Sequence, residues 1–595
     1  MAVDPQPGTI YEFGNFRLDP SERQLVRDGQ IIAIAPKVFD TLVVLVEEPG
    51  RLVDKERLMS RLWPDTFVEE ATLARNISDL RKALGGSASE PQYIETVPKR
   101  GYRFTSDVRR IANQIPNLIA EPRVKPQLTS ATEEAGISSI AVLPFRPISS
   151  EGRDEYLELG IADALITRLS NIGKLVVRST SSVRKYIDIE VSQAGHELQV
   201  GHVLDGSIQR AGDRIRITAQ LVSVNDGRVL WAGKYDVQFT DIFTVEDTIS
   251  EQVANALVVK LTGEEKRLIS RRDTEDAEAH RSYLKGRYYW NRRMRRGYEK
   301  GIHFFEQAIE IDPSYALAHA GLADCYSMLG RFGLIHPSEI MPKAVSSAAT
   351  ALKLDDTLPE SHCSNALAAH IYTWECAKAE HHYQRAIELN SRYATAHHWY
   401  AVFLAEAGRA AEALSEMTQA RALDPVSLII GADIAMVSYL ARDYDRALEQ
   451  CQDTLDMDPN YFRARMWLGC VYEQQGSYEQ AIAEYTTAGA LDDSPYVLEW
   501  LARAQALSGN IEAAKRVLDR LIELSSHVYV DRYYLASVYA ALGRNNEAIA
   551  LLEKAFQDRS CWISRLMIDP IFDSLRNAPG FEQIASAHPE MPFTN

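Results

Sequence analysis

Residues 71–84 read ATLARNISDLRKAL, and that stretch writes two unlike faces onto one helix. Leu73, Ile77, Leu80 and Leu84 recur at the three- and four-residue spacing that buries one stripe. Thr72, Arg75, Asn76, Ser78, Arg81 and Lys82 stand on the other faces, with only Asp79 against them. A glycine pair, Gly85 and Gly86, stops the helix. Residues 93–104, YIETVPKRGYRF, then alternate like a strand, break at PKRG and resume with aromatic residues. A polar, basic helix followed by a hairpin with a basic tip suits double-stranded DNA. The major groove admits a helix, and the hairpin can reach phosphates or the neighbouring minor groove.

Outward from that helix, three stretches follow one another: PKVFDTLVVLVEEPGRLVDKERLMSRLWPD from residue 36, VEEATLARNISDLRKALGG from residue 68, and YIETVPKRGYRF. Together with FGNFRLDPSERQLVRDGQIIAI from residue 13, they resemble the winged helix-turn-helix domain of the OmpR/PhoB-type transcription regulators, over residues 8–106. The PKRGY wing resembles the CadC-like branch. The resemblance implies an α+β fold in which Arg75, Asn76 and Ser78 face base edges. It places Thr72, Arg81, Trp63 and Thr96 on the sugar-phosphate backbone, and Lys99 and Arg100 in the wing. It further implies that the loop over residues 63–70 touches RNA polymerase, and that direct or inverted half-sites are bound, as by a dimer on promoter DNA. Ala71 and Ser78 occupy positions often basic in the response-regulator branch, so base preference does not transfer. Taken alone, Arg75 and Asn76 also fit an ordinary solvated helix face, and Trp63 and Tyr102 fit core packing equally well.

Residues 107–136 carry Pro116, Pro122 and Pro126 among polar residues and read as a flexible linker. CadC-type regulators usually carry a transmembrane helix there. Its absence implies a soluble, cytoplasmic, one-component regulator with no membrane partner. Residues 137–263 alternate strands and helices and end in three antiparallel strands and a closing helix. Their motifs AVLPF, GIADALITRL, HVLDGSIQR and LWAGKYD resemble the TolB N-terminal-like α/β domain. Neither a G-x-x-x-x-G-K-[ST] loop nor a G-x-S-x-G elbow occurs, and His196 and His202 stand alone. No enzymatic activity, cofactor or metal is therefore expected.

The last half repeats. Asp356, Asn390, Asp424, Asp458 and Asp492 are each 34 residues apart. Small residues recur four positions earlier (Ala386, Ala420, Thr454, Ala488) and eleven earlier (Ala379, Ala413, Ala447, Ala481). That period, with small residues at two fixed helix positions, is the tetratricopeptide signature. It predicts an all-α right-handed solenoid over residues 274–585, with seven or eight helical hairpins and a C-terminal cap near residues 562–579. Its concave surface would hold a protein or peptide partner. Asp312 and Asp356 lie 44 apart, which predicts an insertion around residues 331–342 forming a longer inter-helix loop. The pairs His381-His382 and His397-His398 do not suit a metal, because adjacent helical residues point about a hundred degrees apart.

Composition agrees with a multidomain globular chain: 595 residues, 46% hydrophobic and 25% charged. The net charge of −17 argues against a nucleic-acid binder only if it is spread evenly. Residues 71–110 carry eight Lys or Arg against four Asp or Glu, so the expected DNA face is positive. All six Cys lie in the last half without a C-x-x-C pair, the usage of reduced, buried thiols. The opening MAVDPQPGTIYEF has no signal-peptide pattern. The sequence thus predicts a DNA-binding transcription regulator whose α/β and repeat domains receive a signal or partner. The alternative is an interaction scaffold in which winged helix and repeats assemble a complex without specific DNA binding.

Overall fold

In the computed structural model of the chain, the residues described are 9–19, 24–27, 30–32, 36–47, 49–62, 70–84, 93–97, 100–106, 108–112, 138–148, 155–257, 261–263, 265, 267, 271–332, 335–491 and 495–586. They form two units, residues 1–125 and 126–595.

The first unit opens with strands β1 (Thr9–Phe13), β2 (Phe16–Asp19), β3 (Gln24–Arg27) and β4 (Gln30–Ile31), an antiparallel meander. Helix α1 (Pro36–Glu47), strand β5 (Leu52–Asp54), helix α2 (Lys55–Leu62) and helix α3 (Glu70–Ala83) follow. The stripe Leu73, Ile77, Leu80 and Leu84 is buried, and α3 packs on α1. Strands β6 (Ile94–Val97) and β7 (Gly101–Phe104) make the wing hairpin, and β5 pairs with β7 to complete a three-stranded sheet. The glycine of PKRG is a steric necessity. A Cβ at Gly101 would stand 2.1 Å from the Val53 carbonyl oxygen, so the return strand reaches β5 only without one. One boundary differs from expectation: β8 (Arg109–Ala112) pairs antiparallel with β1, so the winged unit continues past Ser106 into the supposed linker. Its sequence, RRIA, carries two arginines and little of the alternation that marks a strand. The remainder of that linker lies outside the described residues.

In the second unit a sheet of order β11-β9-β12-β13-β14 forms from β9 (Ser138–Val142), β11 (Leu175–Val177), β12 (His202–Ala211), β13 (Arg214–Ser223) and β14 (Val229–Gln238). The two-residue strand β10 (Arg146–Pro147) adds in parallel to β12. Helices α4 (Glu155–Ser170), α5 (Thr180–Val183), α6 (Val191–Glu197) and α7 (Ile242–Ala256) share its core.

Among the described residues, eight antiparallel helical hairpins follow, from Ala277–Trp290 through to Asn545–Gln557. The small residues do what their spacing requires: Ala379, Ala413, Ala447, Ala481, Ala386, Ala420 and Ala488 are fully buried, letting paired helices approach closely. The expected long loop is not what absorbs the 44-residue interval. Helices Ala316–Arg331 and Pro337–Leu354 are 16 and 18 residues long, and only residues 332–336 separate them. Pro337 at the first helical position starts the second helix early.

The α/β section and the solenoid meet along the repeat junctions. Asn390 Nδ2 donates to the Ser170 carbonyl at 3.2 Å, and Ser182 Oγ donates to Asp424 at 2.9 Å. Arg178 donates to the Leu423 carbonyl at 2.7 Å and to the Leu198 and Gln199 carbonyls of its own section. Arg287 on the first hairpin pairs with Asp163 on α4 at 2.8 Å, and His280 Nε2 meets Glu246 on α7 at 3.1 Å. Residues one repeat apart therefore present one edge of the solenoid to the α/β section.

Beyond the last hairpin the chain turns back. Residues 559–576, with 3-10 turns at Ile563–Arg565 and Pro570–Leu575, run across the first helices of the hairpins, which line the inner face of such an array. Ser564 Oγ donates to Glu406 at 3.0 Å, Arg503 donates to the Ile571 carbonyl at 2.9 Å, and Arg559 donates to the Tyr372 carbonyl at 3.1 Å. The cap foreseen at the C-terminus thus also fills part of the face assigned to a partner.

Candidate nucleic-acid interface and partner face

On α3 the buried stripe leaves the opposite faces to polar residues. Ser78 is exposed; Asn76 is half-buried, and its Nδ2 finds no acceptor among the described residues. Thr72 and Arg75 stand on the same helix, but their side chains lie outside the described residues, as do Trp63, Lys99 and most of the 63–70 loop. Thr96 and Arg100 are exposed on the wing. The Arg100 backbone N–H donates to Val97 at 3.1 Å, and its carbonyl accepts from Lys55 at 3.2 Å, which fixes the turn against α2. Tyr102 is buried, which makes it a packing residue, although it pairs across the wing with the exposed Thr96.

Arg81 and Thr96, two residues expected to contact the DNA backbone, contact each other. Arg81 Nη2 donates to Thr96 Oγ1 at 2.7 Å and to the Ile94 carbonyl at 2.8 Å, and Nε donates to the same carbonyl at 3.2 Å. The guanidinium therefore ties the recognition helix to the first wing strand. Across the wing, Arg103 pairs with Glu95 at 2.9 Å. A planar fork that reaches one carbonyl twice holds orientation in a way a lysine would not. No sequence signal marks this role, since an arginine in the last turn of a helix reads equally as a phosphate contact.

The solenoid carries buried charge on its inner face and along the edge it presents to the α/β section. Burial pushes the Glu406 carboxyl up, but Arg331 and His370 against it more than offset this and hold it well below the usual carboxylate range. Burial raises Asp424, against the pull of Arg178 and the two serines Ser179 and Ser182 that donate to it. The histidine pairs diverge as helix geometry requires. His397 Nδ1 meets Glu416 at 2.6 Å, while His398 Nε2 meets Asp433 at 2.8 Å. His382 lies with its Nδ1 3.0 Å from that of His362, and burial plus that neighbour lower it to about 4. Of the cysteines, Cys325, Cys363, Cys451, Cys470 and Cys561 are buried and unpaired by disulfides.

Comparison with known families agrees with this layout. Residues 29–104 match the family model "Transcriptional regulatory protein, C terminal". Residues 136–252 match "HilA/YgeH-like transcriptional regulator, second domain". Tetratricopeptide repeat models match residues 370–427 and 435–495, 495–520 and 532–557. Among curated proteins, the chain is 24% identical over 453 residues to "Transcriptional regulator HilA" of Salmonella typhi, covering 75% of this chain and 76% of that one. It is 33% identical over 280 residues to "Putative adenylate cyclase 3" of Rhizobium meliloti, and spans about half of it, 46% of each. With "Transcriptional activator CadC" of Escherichia coli it shares 25% identity over 198 residues, 31% of this chain and 39% of that one. The chain thus carries an OmpR/PhoB-type winged helix-turn-helix, a middle section that matches the HilA/YgeH-like second-domain model and a tetratricopeptide array. The TolB N-terminal-like likeness of the middle section rests on its sequence motifs alone.

Proposed function

We propose that the protein is a one-component transcription regulator that binds promoter DNA through the winged unit and receives a signal or a protein partner through the second unit. The observation that carries this reading is the joining of an amphipathic recognition helix to a basic-tipped wing through Arg81, within a segment that matches the transcription-regulator model. In this account Arg75, Asn76 and Ser78 read base edges in the major groove. Thr72, Trp63, Lys99 and Arg100 contact sugar and phosphate, with Thr96 and Arg81 setting the wing's position as well as neighbouring the backbone. Phosphate contacts supply most of the affinity and the helix supplies the sequence preference.

Half-sites in direct or inverted repeat would be occupied by two copies, with the 63–70 loop reaching RNA polymerase. The site of action would be the cytoplasm; no helix among the described residues is long and apolar enough to cross a membrane. No catalytic role is assigned to either unit, and the relative named as a cyclase shares less than half its length with this chain. The test is anisotropy of labelled promoter fragments with full-length protein and with the Arg75→Ala, Asn76→Ala, Lys99→Ala, Arg100→Ala quadruple variant. Binding that weakens steeply with salt and is lost in the variant supports the regulator. Equal binding by both removes it and leaves the scaffold.

A further inference from the structure

Beside the returning segment, two adjoining cavities open on the solenoid's inner face. The first, of about 50 Å³, has Trp562 as one wall and is lined by Arg293, Arg331, Arg463, His370 and Met436 among others. The second, of about 60 Å³, shares Arg293, Met328, Phe332, Ile429 and Arg463 with it. It reaches the surface past Met294, which is 55% exposed.

The ion pairs there do not take in every guanidinium. Asp433 accepts from Arg463 at 2.7 Å and from His398 at 2.8 Å. Glu406 is held by Arg331, by His370 at 2.9 Å and by Ser564 at 3.0 Å. Those two carboxylates serve two guanidiniums. The third, Arg293, lies over the Trp290 ring at 4.3 Å with no ion pair among the described residues. The carboxyl of Asp324 shares its field, but burial pushes that group up to about 7 and Ser364 donates to it. Of the three guanidiniums, Arg293 is the one without a carboxylate within ion-pair distance among the described residues.

The hydrogen bonds do not close either. Arg293 Nε, Arg331 Nη1 and Arg463 Nε are buried without an acceptor among the described residues, as is the Tyr383 hydroxyl that faces the first cavity. Arg331 itself is only 6% exposed. Leaving such a donor unmet costs about 1–3 kcal/mol, so folded chains keep them where something else meets them. Around these polar points the lining is Met328, Phe332, Ile429, Met436 and Val402. Apolar walls around a cluster of converging donors are the make-up of an organic-ligand site.

We propose that this paired cavity binds a compact organic monocarboxylate, aliphatic or aromatic, with its carboxylate against Arg293 and the unmet guanidinium N–H groups and its body on the methionine and aromatic walls. At about 10–15 Å³ for each water-sized centre, the combined space suits a ligand of roughly nine non-hydrogen atoms. The apolar walls select it over an inorganic anion, and the Arg293 guanidinium selects it over a neutral molecule of the same shape. The proposal rests on reading the solenoid as the signal-receiving half of a regulator. Its test uses no DNA, so its failure leaves promoter binding standing.

Titration calorimetry of the full chain with benzoate and with hexanoate tests it, beside inorganic phosphate and hexanol. One-to-one binding of a carboxylate is expected, with neither phosphate nor hexanol binding comparably. Arg293→Gln removes the unpaired charge at a half-exposed turn, and Ile429→Trp fills the shared wall. Each should weaken binding by about tenfold or more while melting as the wild type does. Carboxylate binding that is absent at millimolar concentration, matched by phosphate, or unchanged in both folded variants overturns the proposal.

Discussion

Ser182 Oγ donates to the Asp424 carboxylate at 2.9 Å, across 242 residues of chain. Asp424 belongs to the series repeating every 34 residues, so a position that ends one hairpin and starts the next also anchors the α/β section. Asp424→Ala leaves two serine hydroxyls and Arg178 facing an empty space. It should destabilise the second unit by about 3 kcal/mol, whereas Ser182→Ala should cost about 1 kcal/mol. Urea unfolding followed by circular dichroism measures both. Equal, small effects would mean that the junction contributes little.

Protonation of its buried histidines should loosen the solenoid as the pH falls. His382 falls to about 4 in the folded chain against an ordinary 6.5, through burial and the facing His362. His362 and His370 are lowered in the same direction, first by burial. With a folded value below the unfolded one, the unfolded state binds more protons between these limits, so stability falls as pH drops from 6.5 to 4. Because carboxyls raised by burial, such as Asp324, act in the opposite sense, the readout is the difference between two proteins: His382→Gln should gain urea midpoint relative to the wild type as the pH falls through that window. A difference flat across the window would contradict the buried, neutral ring.

Arg81 separates two roles by one substitution. If it only attracts phosphate, Arg81→Lys keeps the charge and nearly all DNA affinity. The bonds to Ile94 and Thr96 say otherwise. Both Arg81→Lys and Arg81→Ala should lower the melting stability of the winged unit, the latter by about 1–2 kcal/mol, and both should weaken DNA binding. Ser78→Ala, at an exposed position, should alter binding without altering melting. Thermal melts beside anisotropy titrations decide it.

Trp562 is one of the points at which the returning segment is held. The guanidinium carbons of Arg331 and Arg565 lie 4.7 and 4.6 Å from its ring, and Tyr534 packs at 5.5 Å. Trp562→Ala removes that anchor at a cost of about 3–5 kcal/mol and should free the segment from the inner face. Arg565, fully buried in the intact protein, then becomes a tryptic site. Mass spectrometry of brief digests should show cleavage there in the variant alone.

Much of the fold was legible because its signals are periodic. The stripe on α3 and the 34-residue series both report burial that repeats along the chain. Gly101 was legible as a break, though its reason, the approach of Val53, is spatial. Illegible were the contacts without a period: Arg81 on Thr96, Ser182 on Asp424, and Ser564 on Glu406. Each joins single polar residues brought together by the fold, and locally each reads as a solvated side chain. β8 escaped for a related reason, since an edge strand that opens on two arginines carries little hydrophobic alternation. The extra length between Asp312 and Asp356 reads as loop in a count of residues, but the two long helices Ala316–Arg331 and Pro337–Leu354 take most of it up.

The central claim is sequence-specific DNA binding by the winged unit. Its most direct test is recovery of genomic DNA fragments by purified full-length protein, beside the quadruple variant at Arg75, Asn76, Lys99 and Arg100. A short repeated motif should be enriched by the wild type, lost in the variant and weakened as salt rises. The same unenriched background from both proteins would contradict the account and turn attention to whatever protein the solenoid holds.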